Sequence, residues 1–306
     1  MNELEQFGIH IQTNVSLKSK TWFGVGGEAE YFFEPQNEDQ LKKILQYAHQ
    51  HKIPVTVLGA GSNVLVRDGG IDGFVIHLAK TFAKIDIQDD ILVCGGAASL
   101  IDIAQTAAKA NISGFEFMSG IPGTLGGGVK TNAGAYGRDL SCVVSELVMM
   151  DGAGYIHTRH PKQENIFEYR FCKLPSDWIC LWAKLQGSKE ATNQLILDKM
   201  KSYKEKRHAS QPQGVRTAGS TFKNPESLSA WKLLDEVGLR GYTLNGAQFS
   251  EKHPNFLINT GTASAEDLEN LISLAQKQVF QKMGVRLECE VKILGKLKDE
   301  IKDNDK

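Results

Sequence analysis

The chain has 306 residues, of which 41% are hydrophobic and 23% charged, and its 35 basic and 36 acidic residues give a formal net charge of −1. The length predicts two domains or one large one, and the balanced charge offers no basic surface for nucleic acid or an anionic membrane. No apolar run reaches the roughly eighteen residues of a membrane span, and the acidic start MNELEQFGIH lacks the apolar core of a signal peptide, so we expect a cytoplasmic protein with no membrane insertion.

The cysteines favour neither a disulfide framework nor a zinc site, because they are odd in number, far apart and without a Cys-x-x-Cys pair. We expect them to be buried free thiols in a reducing cytoplasm. The histidines show no metal-ligand spacing, so we predict no metal. The five cysteines are Cys94, Cys142, Cys172, Cys180 and Cys289.

The first elements alternate a helix with short strands. A helical pattern begins at Asn37 and has an apolar face; that face consists of Leu41, Ile44, Leu45 and Ala48. Residues 55–58 (VTVL) form an apolar run that ends in the glycine turn GAGSN, and a second run, VLV, follows at once. The order strand, glycine turn, strand argues against a Rossmann domain, in which a helix follows the glycines.

The next stretch predicts more strands and one helix. A strand at 91–94 turns at Gly95, and Ser99 is placed to cap a helix that runs through Ala110. Residues 142–150 and 155–158 flank DGAG, which is the pattern of a β-hairpin, and 177–185 is another apolar strand. The chain to about residue 188 therefore predicts a mixed α/β domain.

A polar stretch at 186–194 marks a predicted boundary, after which helices dominate. The first has Ile196, Met200 and Tyr203 on one stripe and Arg207 at its end. A loop at 211–225 leads to a helix over 227–237, with Gly238 suited to its C-terminal cap. Ser264 and Asp267 predict a capping box for a longer helix that Gly284 ends; its apolar stripe is Leu268, Leu271, Ile272, Ala275, Val279 and Met283.

The last predicted strand is residues 285–294, where polar and apolar side chains alternate. One face holds Val285, Leu287, Cys289, Val291 and Ile293, and the other holds Arg286, Glu288, Glu290 and Lys292. The remaining residues, 296–306, predict a disordered polar tail.

Two glycine-rich segments are candidate anion sites, since glycine lets successive backbone amides converge on a ligand. The first is GAGSN, residues 59–63, and the second is GIPGTLGGGVKTNAGAYG, residues 120–137. The second lacks a P-loop because Val129 separates Gly128 from Lys130, and the first lacks the third glycine of a dinucleotide fingerprint. The two segments are either tight turns or the binding site of a ligand with more than one phosphate, and both alternatives remain open.

These segments, with SKTWFGVGGEAEYFFEP near the start and LECEVKILG near the end, resemble the UDP-N-acetylenolpyruvoylglucosamine reductase (UDP-N-acetylmuramate dehydrogenase) family. The resemblance spans nearly the whole chain and includes a flavin domain of the vanillyl-alcohol-oxidase or p-cresol-methylhydroxylase type. It implies an α+β (mixed α/β) fold with a two-part FAD-binding domain, 1–80 and 81–200. A smaller α+β substrate domain, 201–295, would follow.

The resemblance implies that NADPH reduces FAD, and that reduced FAD reduces the enolpyruvyl group of UDP-N-acetylglucosamine-enolpyruvate for peptidoglycan synthesis. It implies cofactor contacts from both glycine segments and from a helix arginine. The implied residues are Gly59, Ala60, Gly61, Ser62, Asn63, Ser119, Gly120, Ile121, Pro122, Gly123, Thr124, Gly127, Asn132, Ala133, Gly134, Tyr136 and Arg207.

Three residues are implied to be catalytic. Arg170, in EYRFCK, matches the family's catalytic arginine, whose planar fork suits a carboxylate; an ordinary surface ion pair is the alternative. Ser220, in AGSTFKNP, matches the proton donor; a turn serine is the alternative. Glu290, in LECEV, matches the catalytic glutamate; a solvated strand face would show the same alternation.

The same resemblance implies substrate contacts at Lys223, Asn224 and Gln248, whereas we interpret His253 as structural. Cys172 stands where family members carry serine, which puts a local hydrogen bond in doubt. The short interval between Arg170 and Ser220 resembles the subgroup without an extra tyrosine loop. We expect a monomer or weak oligomer. An FAD-dependent oxidase with another substrate, or a flavin-binding module without turnover, remain alternatives.

Overall fold

The structure is a computed structural model, and it describes Leu4 and residues 8–298. Most of the predicted tail, 299–306, therefore lies outside the described residues. The α-helices in chain order are α1 (Glu38–His51), α2 (Leu100–Lys109), α3 (Leu125–Thr131), α4 (Pro161–Glu164), α5 (Asn193–Ser210), α6 (Ala230–Glu236) and α7 (Ala265–Met283).

Short strands fill much of the chain between these helices. The first nine are β1 (Gln12–Ser16), β2 (Glu28–Phe33), β3 (Val55–Val57), β4 (Val64–Val66), β5 (Ile71–Ile76), β6 (Ile85–Gln88), β7 (Ile91–Gly95), β8 (Gly134–Ala135) and β9 (Arg138–Asp139). The others are β10 (Val144–Met150), β11 (Ile156–Arg159), β12 (Phe167–Glu168), β13 (Phe171–Cys172), β14 (Ile179–Gln186), β15 (Thr243–Leu244), β16 (Ala247–Phe249), β17 (Leu257–Asn259) and β18 (Lys292–Leu294).

The chain divides into two compact units, each made of discontinuous segments. Unit 1 comprises Met1–Thr13, Tyr31–Ala60 and Gly73–Arg207, and unit 2 comprises Asn14–Glu30, Gly61–Asp72 and His208–Lys306. The predicted boundaries at residues 80 and 200 stay a prediction. No helix in the described part of the chain is long and apolar enough to cross a membrane.

Unit 1 contains a five-stranded antiparallel sheet of order β11-β10-β14-β7-β6. The predicted hairpin is confirmed, because β10 and β11 pair with Met150 opposite Ile156. Helix α2 begins where predicted, since the Ser99 side chain accepts a hydrogen bond from the backbone N–H of Asp102. Its apolar face, which includes Ile103 and Ala107, lies in the core that covers this sheet.

A second core cluster in unit 1 surrounds helix α1. The Asn37 side chain caps this helix by accepting from the backbone N–H of Gln40, as the start signal predicts. Its four predicted apolar residues are buried and pack with Phe74 of β5. Strands β3 and β5 are parallel, with Val55 opposite Phe74, in a sheet of order β1-β2-β5-β3.

Unit 2 has its own core, built around α7. The predicted capping box is present: Ser264 accepts from the Asp267 N–H while the Asp267 carboxylate accepts from the Ser264 N–H. Gly284 ends the helix at φ +70, a conformation that glycine adopts without steric penalty. The α7 stripe packs in one core with residues of β16, β17 and α6.

The predicted strand 285–294 is wrong in extent, because only Lys292–Leu294 form a strand, paired in parallel with β4. Burial still alternates in the preceding segment, where Leu287 and Val291 are buried and Arg286 is exposed. Alternating burial indicates an extended backbone, whereas a β-strand also needs a neighbouring strand with which it forms successive backbone hydrogen bonds. Around Cys289 the partner supplies only an isolated bridge to Phe222.

Two helices also differ from the sequence prediction. The predicted helix at 227–237 begins three residues later, because Ser227 has φ +60 and the Asn224 side chain caps Ala230 N–H instead. The second glycine segment, predicted as a loop, contains α3. Glycines disfavour helix, but here the backbone N–H groups of Leu125 and Gly126 bond to the carbonyl oxygens of Ala98 and Gly96 at 2.8 Å.

Candidate active site

The two predicted anion segments meet in unit 1. A Cβ added at Gly59 would lie 2.8 Å from the hydroxyl oxygen of Thr124, so the two segments approach each other closely at this point. Thr124 in turn pairs with Ser99, and the Leu100 N–H bonds to the Gly123 carbonyl oxygen at 3.0 Å. Residues 59–60 and 119–124 therefore form one glycine-lined surface within this unit.

The glycines of α3 have different surroundings on its two faces. A Cβ at Gly126 would lie 3.1 Å from the Gly96 carbonyl oxygen, and one at Gly128 would lie 3.1 Å from Leu140 and 3.2 Å from Leu100. A Cβ at Gly127, which is exposed, would meet only the Thr124 hydroxyl, at 3.5 Å. Packing thus explains Gly126 and Gly128, whereas Gly127 leaves an open backbone surface.

Lys130, at the end of α3, has no P-loop role in this arrangement. Its ammonium donates a 2.5 Å hydrogen bond to the carbonyl oxygen of Pro175. Burial lowers the pKa of Lys130, and the nearby Cys172 and Asp177 partly oppose that shift. The lysine therefore ties α3 to the segment that follows β13.

The first glycine segment is divided between the units, and its last three residues belong to unit 2. Gly61 has φ +65, and a Cβ there would lie 2.0 Å from the Lys20 carbonyl oxygen. The side-chain amide of Asn63 donates to the Glu290 carbonyl oxygen at 3.1 Å. The glycine at 61 is thus required by packing, and Asn63 joins its segment to the last extended segment of the chain.

Tyr136, Tyr203 and Arg207 lie beside the glycine-lined surface of unit 1. The rings of Tyr136 and Tyr203 stack with centroids 4.0 Å apart, and the Tyr136 hydroxyl donates to the Tyr203 carbonyl oxygen at 2.7 Å. A Cβ at Gly120 would lie 3.3 Å from a guanidinium nitrogen of Arg207. Burial lowers the pKa of Arg207, and Tyr136 opposes the shift; the arginine nevertheless stays charged.

Arg170 lies at the tip of the β12–β13 hairpin, in the two-residue turn between Glu168 and Phe171. Its φ is +54, a left-handed conformation that side chains larger than Asn rarely adopt. Its guanidinium donates a 2.8 Å hydrogen bond to the Gly134 carbonyl oxygen. A larger side chain keeps this conformation only where its surroundings hold it, and here the hairpin turn and the bond to Gly134 do so.

The five cysteines are free, as predicted, but the expectation that all are buried is wrong for Cys142, which is exposed, and for Cys289, which is half-buried. Cys172 is buried in β13, two residues after Arg170. Burial raises the pKa of the Cys172 thiol, and a hydrogen bond from the Leu174 backbone partly opposes this.

Ser220 and Glu290 lie on neighbouring backbone segments of unit 2. The Glu290 N–H donates to the Thr221 carbonyl oxygen at 2.8 Å, and the Lys223 N–H donates to the Glu288 carbonyl oxygen at 2.9 Å. Ser220 is half-buried, and its hydroxyl makes no hydrogen bond within the described residues. The structure thus brings together the proton-donor and carboxylate candidates, which are far apart in sequence.

The substrate-contact candidates are already engaged in different ways. Lys223 forms an ion pair with Glu288, and its side chain is 13% exposed against 72% for the glutamate. The Asn224 side-chain oxygen caps α6 through the Ala230 N–H. The Gln248 amide reaches the Gly241 carbonyl oxygen at 3.4 Å.

His253 packs against aromatic rings, with centroids 4.9 Å from Phe256 and 6.3 Å from Trp231. Its Nδ1 is buried without a hydrogen-bond partner in the described part of the chain. Burial lowers the pKa of His253, and Arg240 adds to the shift. These contacts agree with our interpretation of His253 as a structural residue.

Two buried polar residues that support the site were missed in the sequence. Asn255 is 4% exposed; its side chain accepts from the Phe222 N–H at 3.0 Å and donates to the Phe222 carbonyl oxygen at 2.8 Å. Glu116 is also 4% exposed, and its carboxylate accepts from the Gly114 N–H at 3.0 Å ahead of the glycine-lined surface. Periodicity gives no signal for such residues, because their partners are backbone groups and, for Glu116, also the Lys199 ammonium at 3.6 Å.

Comparison with known proteins identifies both halves of the chain. Residues 211–294 match the family described as "UDP-N-acetylenolpyruvoylglucosamine reductase, C-terminal domain". Residues 29–159 match the family described as "FAD binding domain". The second match includes both glycine segments and confirms FAD as the predicted cofactor.

Individual relatives agree with these matches. The UDP-N-acetylenolpyruvoylglucosamine reductase of Rickettsia akari is 43% identical over 285 residues, which is 93% of this chain and 96% of the relative. That of Rickettsia typhi is 44% identical over 281 residues, or 92% and 94% of the two chains.

Among solved structures, the UDP-N-acetylenolpyruvylglucosamine reductase of Thermus caldophilus superposes with a TM-score of 0.82 at 33% identity. The match covers 94% of this chain and all of the other. The predicted mixed α/β fold and the predicted family are both confirmed. The chain therefore belongs to the UDP-N-acetylenolpyruvoylglucosamine reductase family.

Proposed function

We propose that this chain is the NADPH- and FAD-dependent enzyme that reduces the enolpyruvyl group of UDP-N-acetylglucosamine-enolpyruvate. The product is UDP-N-acetylmuramate, a peptidoglycan precursor. The observation that carries the proposal is the backbone pairing of the Ser220 and Glu290 segments. It lies within the domain that is specific to this family, residues 211–294.

The residues of unit 1 fit an FAD. Backbone amides can hold a pyrophosphate where no side chain intervenes, and we assign this role to the glycine-lined surface formed by residues 59–60 and 119–124, with the exposed Gly127. The half-buried Arg207 side chain beside Gly120 adds a positive charge. When bound, FAD carries a hydride from NADPH to the enolpyruvyl double bond.

Reduction of that double bond also requires one proton, and we assign its donation to Ser220. The hydroxyl is half-buried and makes no hydrogen bond within the described residues, so its proton is available to the substrate carbon that does not receive the hydride. Serine is a weak acid, so it must act at a short, fixed distance. The bonds from Asn255 to the adjacent Phe222 hold its segment in place.

Arg170 is assigned to the substrate carboxylate. Negative charge develops next to this group as the hydride adds, and a fixed cation stabilises it. The guanidinium remains charged and binds both carboxylate oxygens with its planar fork. Its bond to the Gly134 carbonyl oxygen limits the positions it can take.

Glu290 is assigned to the same reduction step, as an acid or as an electrostatic partner. Its backbone is fixed on both sides, by Thr221 through the N–H and by Asn63 through the carbonyl oxygen. An ionised carboxylate beside the carboxylate of the substrate would repel it, so Glu290 acts either in its neutral form or next to a cation.

Lys223, Asn224 and Gln248 are assigned to the sugar nucleotide. Lys223 would contact a phosphate by exchanging its exposed partner Glu288 for the ligand. Because Glu288 is largely exposed, water can solvate its carboxylate once the ion pair opens. We further propose that the protein is a monomer or weak oligomer and acts in the cytoplasm, where its free thiols stay reduced.

The experiment is an NADPH-oxidation assay on the purified flavoprotein, with and without UDP-N-acetylglucosamine-enolpyruvate. We expect NADPH to bleach the flavin absorbance and the enolpyruvyl sugar nucleotide to restore it, with stoichiometric formation of UDP-N-acetylmuramate. Restoration by oxygen alone at the same rate would point to an oxidase. If NADPH does not bleach the flavin, the protein would be a flavin-binding module without turnover.

A further inference from the structure

Asn132 is a buried residue whose side chain joins two other segments of unit 1. It is 2% exposed and follows α3 in the left-handed conformation, with φ +43. Its amide nitrogen donates to the Glu168 carbonyl oxygen at 2.9 Å, and its amide oxygen accepts from the Ser141 N–H at 3.1 Å. Both ends of this side chain are therefore used inside the protein.

The bond to Glu168 joins this segment to the hairpin that carries Arg170. Glu168 is the last residue before the two-residue turn, and Arg170 in that turn bonds back to the Gly134 carbonyl oxygen at 2.8 Å. One bond holds the base of the turn and the other holds the guanidinium. The hairpin itself contributes two residue pairs, extended by the bond from the Lys173 N–H to the Ile166 carbonyl oxygen at 2.9 Å, and a two-stranded hairpin this short is marginally stable by itself.

We propose that Asn132 is a positioning residue for Arg170 and not a side-chain ligand of FAD. The proposal rests on the proposed function, because it assumes that Arg170 binds the substrate carboxylate. Asn132 fixes the Glu168 carbonyl, and thereby the turn in which Arg170 holds a left-handed conformation that its own side chain disfavours. A small displacement of such a group lowers the rate of a chemical step strongly.

The test uses Asn132→Gly, because glycine adopts the left-handed conformation after a helix more readily than other residues. This variant keeps the backbone and removes both side-chain bonds. The matched control is Asn165→Gly: Asn165 follows α4 with φ +48 and is exposed. Its side chain makes no hydrogen bond in the described part of the chain.

Two readouts separate positioning from general destabilisation. We expect Asn132→Gly to keep its flavin and its rate of flavin bleaching by NADPH, while reoxidation by the enolpyruvyl substrate slows by about 10-fold to 100-fold. We also expect faster amide hydrogen exchange over residues 167–172, where local protection reports the held hairpin. Asn165→Gly should change none of these. Loss of flavin, or equal slowing of both half-reactions, would overturn the proposal.

A double-mutant cycle with Arg170→Ala completes the test, since residues that act through one another give non-additive effects. With Arg170 removed, adding Asn132→Gly should change the reoxidation rate by less than about 2-fold. Multiplied effects would overturn the positioning role and leave the reductase function intact. If Arg170→Ala itself left reoxidation unchanged, the assignment of Arg170 would fail first, and the role of Asn132 with it.

Discussion

The backbone N–H of Glu290 donates a 2.8 Å hydrogen bond to the carbonyl oxygen of Thr221, the residue that follows Ser220. An isolated bridge between Phe222 and Cys289 continues the same pairing. The proton-donor candidate and the carboxylate candidate are therefore held on adjacent segments of unit 2. Their spacing depends on main-chain hydrogen bonds, which side-chain substitutions at either position leave in place.

Substitution Ser220→Ala should separate the two half-reactions. Bleaching of the flavin by NADPH needs no proton from Ser220, so its rate should stay close to that of the wild type. Reoxidation by the enolpyruvyl sugar nucleotide should slow by about 10²-fold to 10⁴-fold, as for loss of a positioned acid. Stopped-flow flavin absorbance measures both rates.

Ser229→Ala is the control for that experiment, because Ser229 precedes α6 without making a side-chain cap bond. It should behave as the wild type in both half-reactions. Reoxidation of Ser220→Ala at the wild-type rate would contradict the proton-donor assignment. Loss of flavin from Ser220→Ala would contradict the assignment of cofactor binding to the other parts of the chain.

Arg170→Gly should be more stable than Arg170→Ala, although both should lose the second half-reaction. Both variants remove the guanidinium and its bond to Gly134. They differ at φ +54, where any side chain with a Cβ is penalised by about 1 kcal/mol and glycine is not. Urea unfolding followed by fluorescence measures the difference, and equal midpoints would show that the turn relaxes without strain.

Replacement by alanine should have different effects at two neighbouring glycines of α3. Gly127→Ala should lower FAD affinity, because it adds a side chain to the exposed backbone surface that we assign to the cofactor. It should not lower the melting temperature of the apoprotein, because the added Cβ would meet only the Thr124 hydroxyl, at 3.5 Å. Gly128→Ala should give the lower melting temperature of the two, because its Cβ would press on Leu140 and Leu100. Both variants gain about 1 kcal/mol of helix propensity, and overpacking by about 1 kcal/mol or more offsets that gain at Gly128 alone.

Flavin titration and thermal unfolding of the two apoproteins measure this contrast. Unchanged FAD affinity in Gly127→Ala would remove Gly127 from the cofactor site. Gly134 is a poor position for the same test, since a Cβ there would lie 2.5 Å from the Arg138 carbonyl oxygen. Loss of flavin at Gly134 would not distinguish a blocked cofactor from a disrupted β8–β9 hairpin.

His253 should make stability fall in mild acid. Burial lowers the pKa of folded His253 below its ordinary value of 6.5. The unfolded chain therefore takes up the proton first, so this contribution is fully present above about pH 6.5 and is lost as the pH falls toward the lowered folded pKa. His253→Gln removes the titration, and its melting temperature should drop less between about pH 7.5 and pH 5.5.

His208→Gln is the matched control, since His208 is exposed in the same unit. It should retain the pH dependence of the wild type. An equal drop in melting temperature for the wild type and His253→Gln would show that the folded His253 has an ordinary pKa.

Several elements could be predicted from the sequence because their signals are local. The caps at Asn37, Ser99 and Ser264 each bond to a backbone N–H three residues away, so the residues that define the helix start are neighbours in the chain. The hairpin of β10 and β11 is equally local. The glycine segments and the C-terminal motifs also sufficed to identify the family.

The tertiary structure alone decided which glycines pack, which candidates meet, and where extended segments become strands. The sequence did not reveal α3, because its glycines disfavour a helix by about 1 kcal/mol each. The bonds to Gly96 and Ala98, together with the burial of Leu125 and Val129, offset that cost. The left-handed turn at Arg170 and the burial of Asn132 likewise depend on partners distant in the chain. Local propensities are small beside burial and long-range hydrogen bonds, so a residue's final contacts are set by segments that sequence spacing does not bring together.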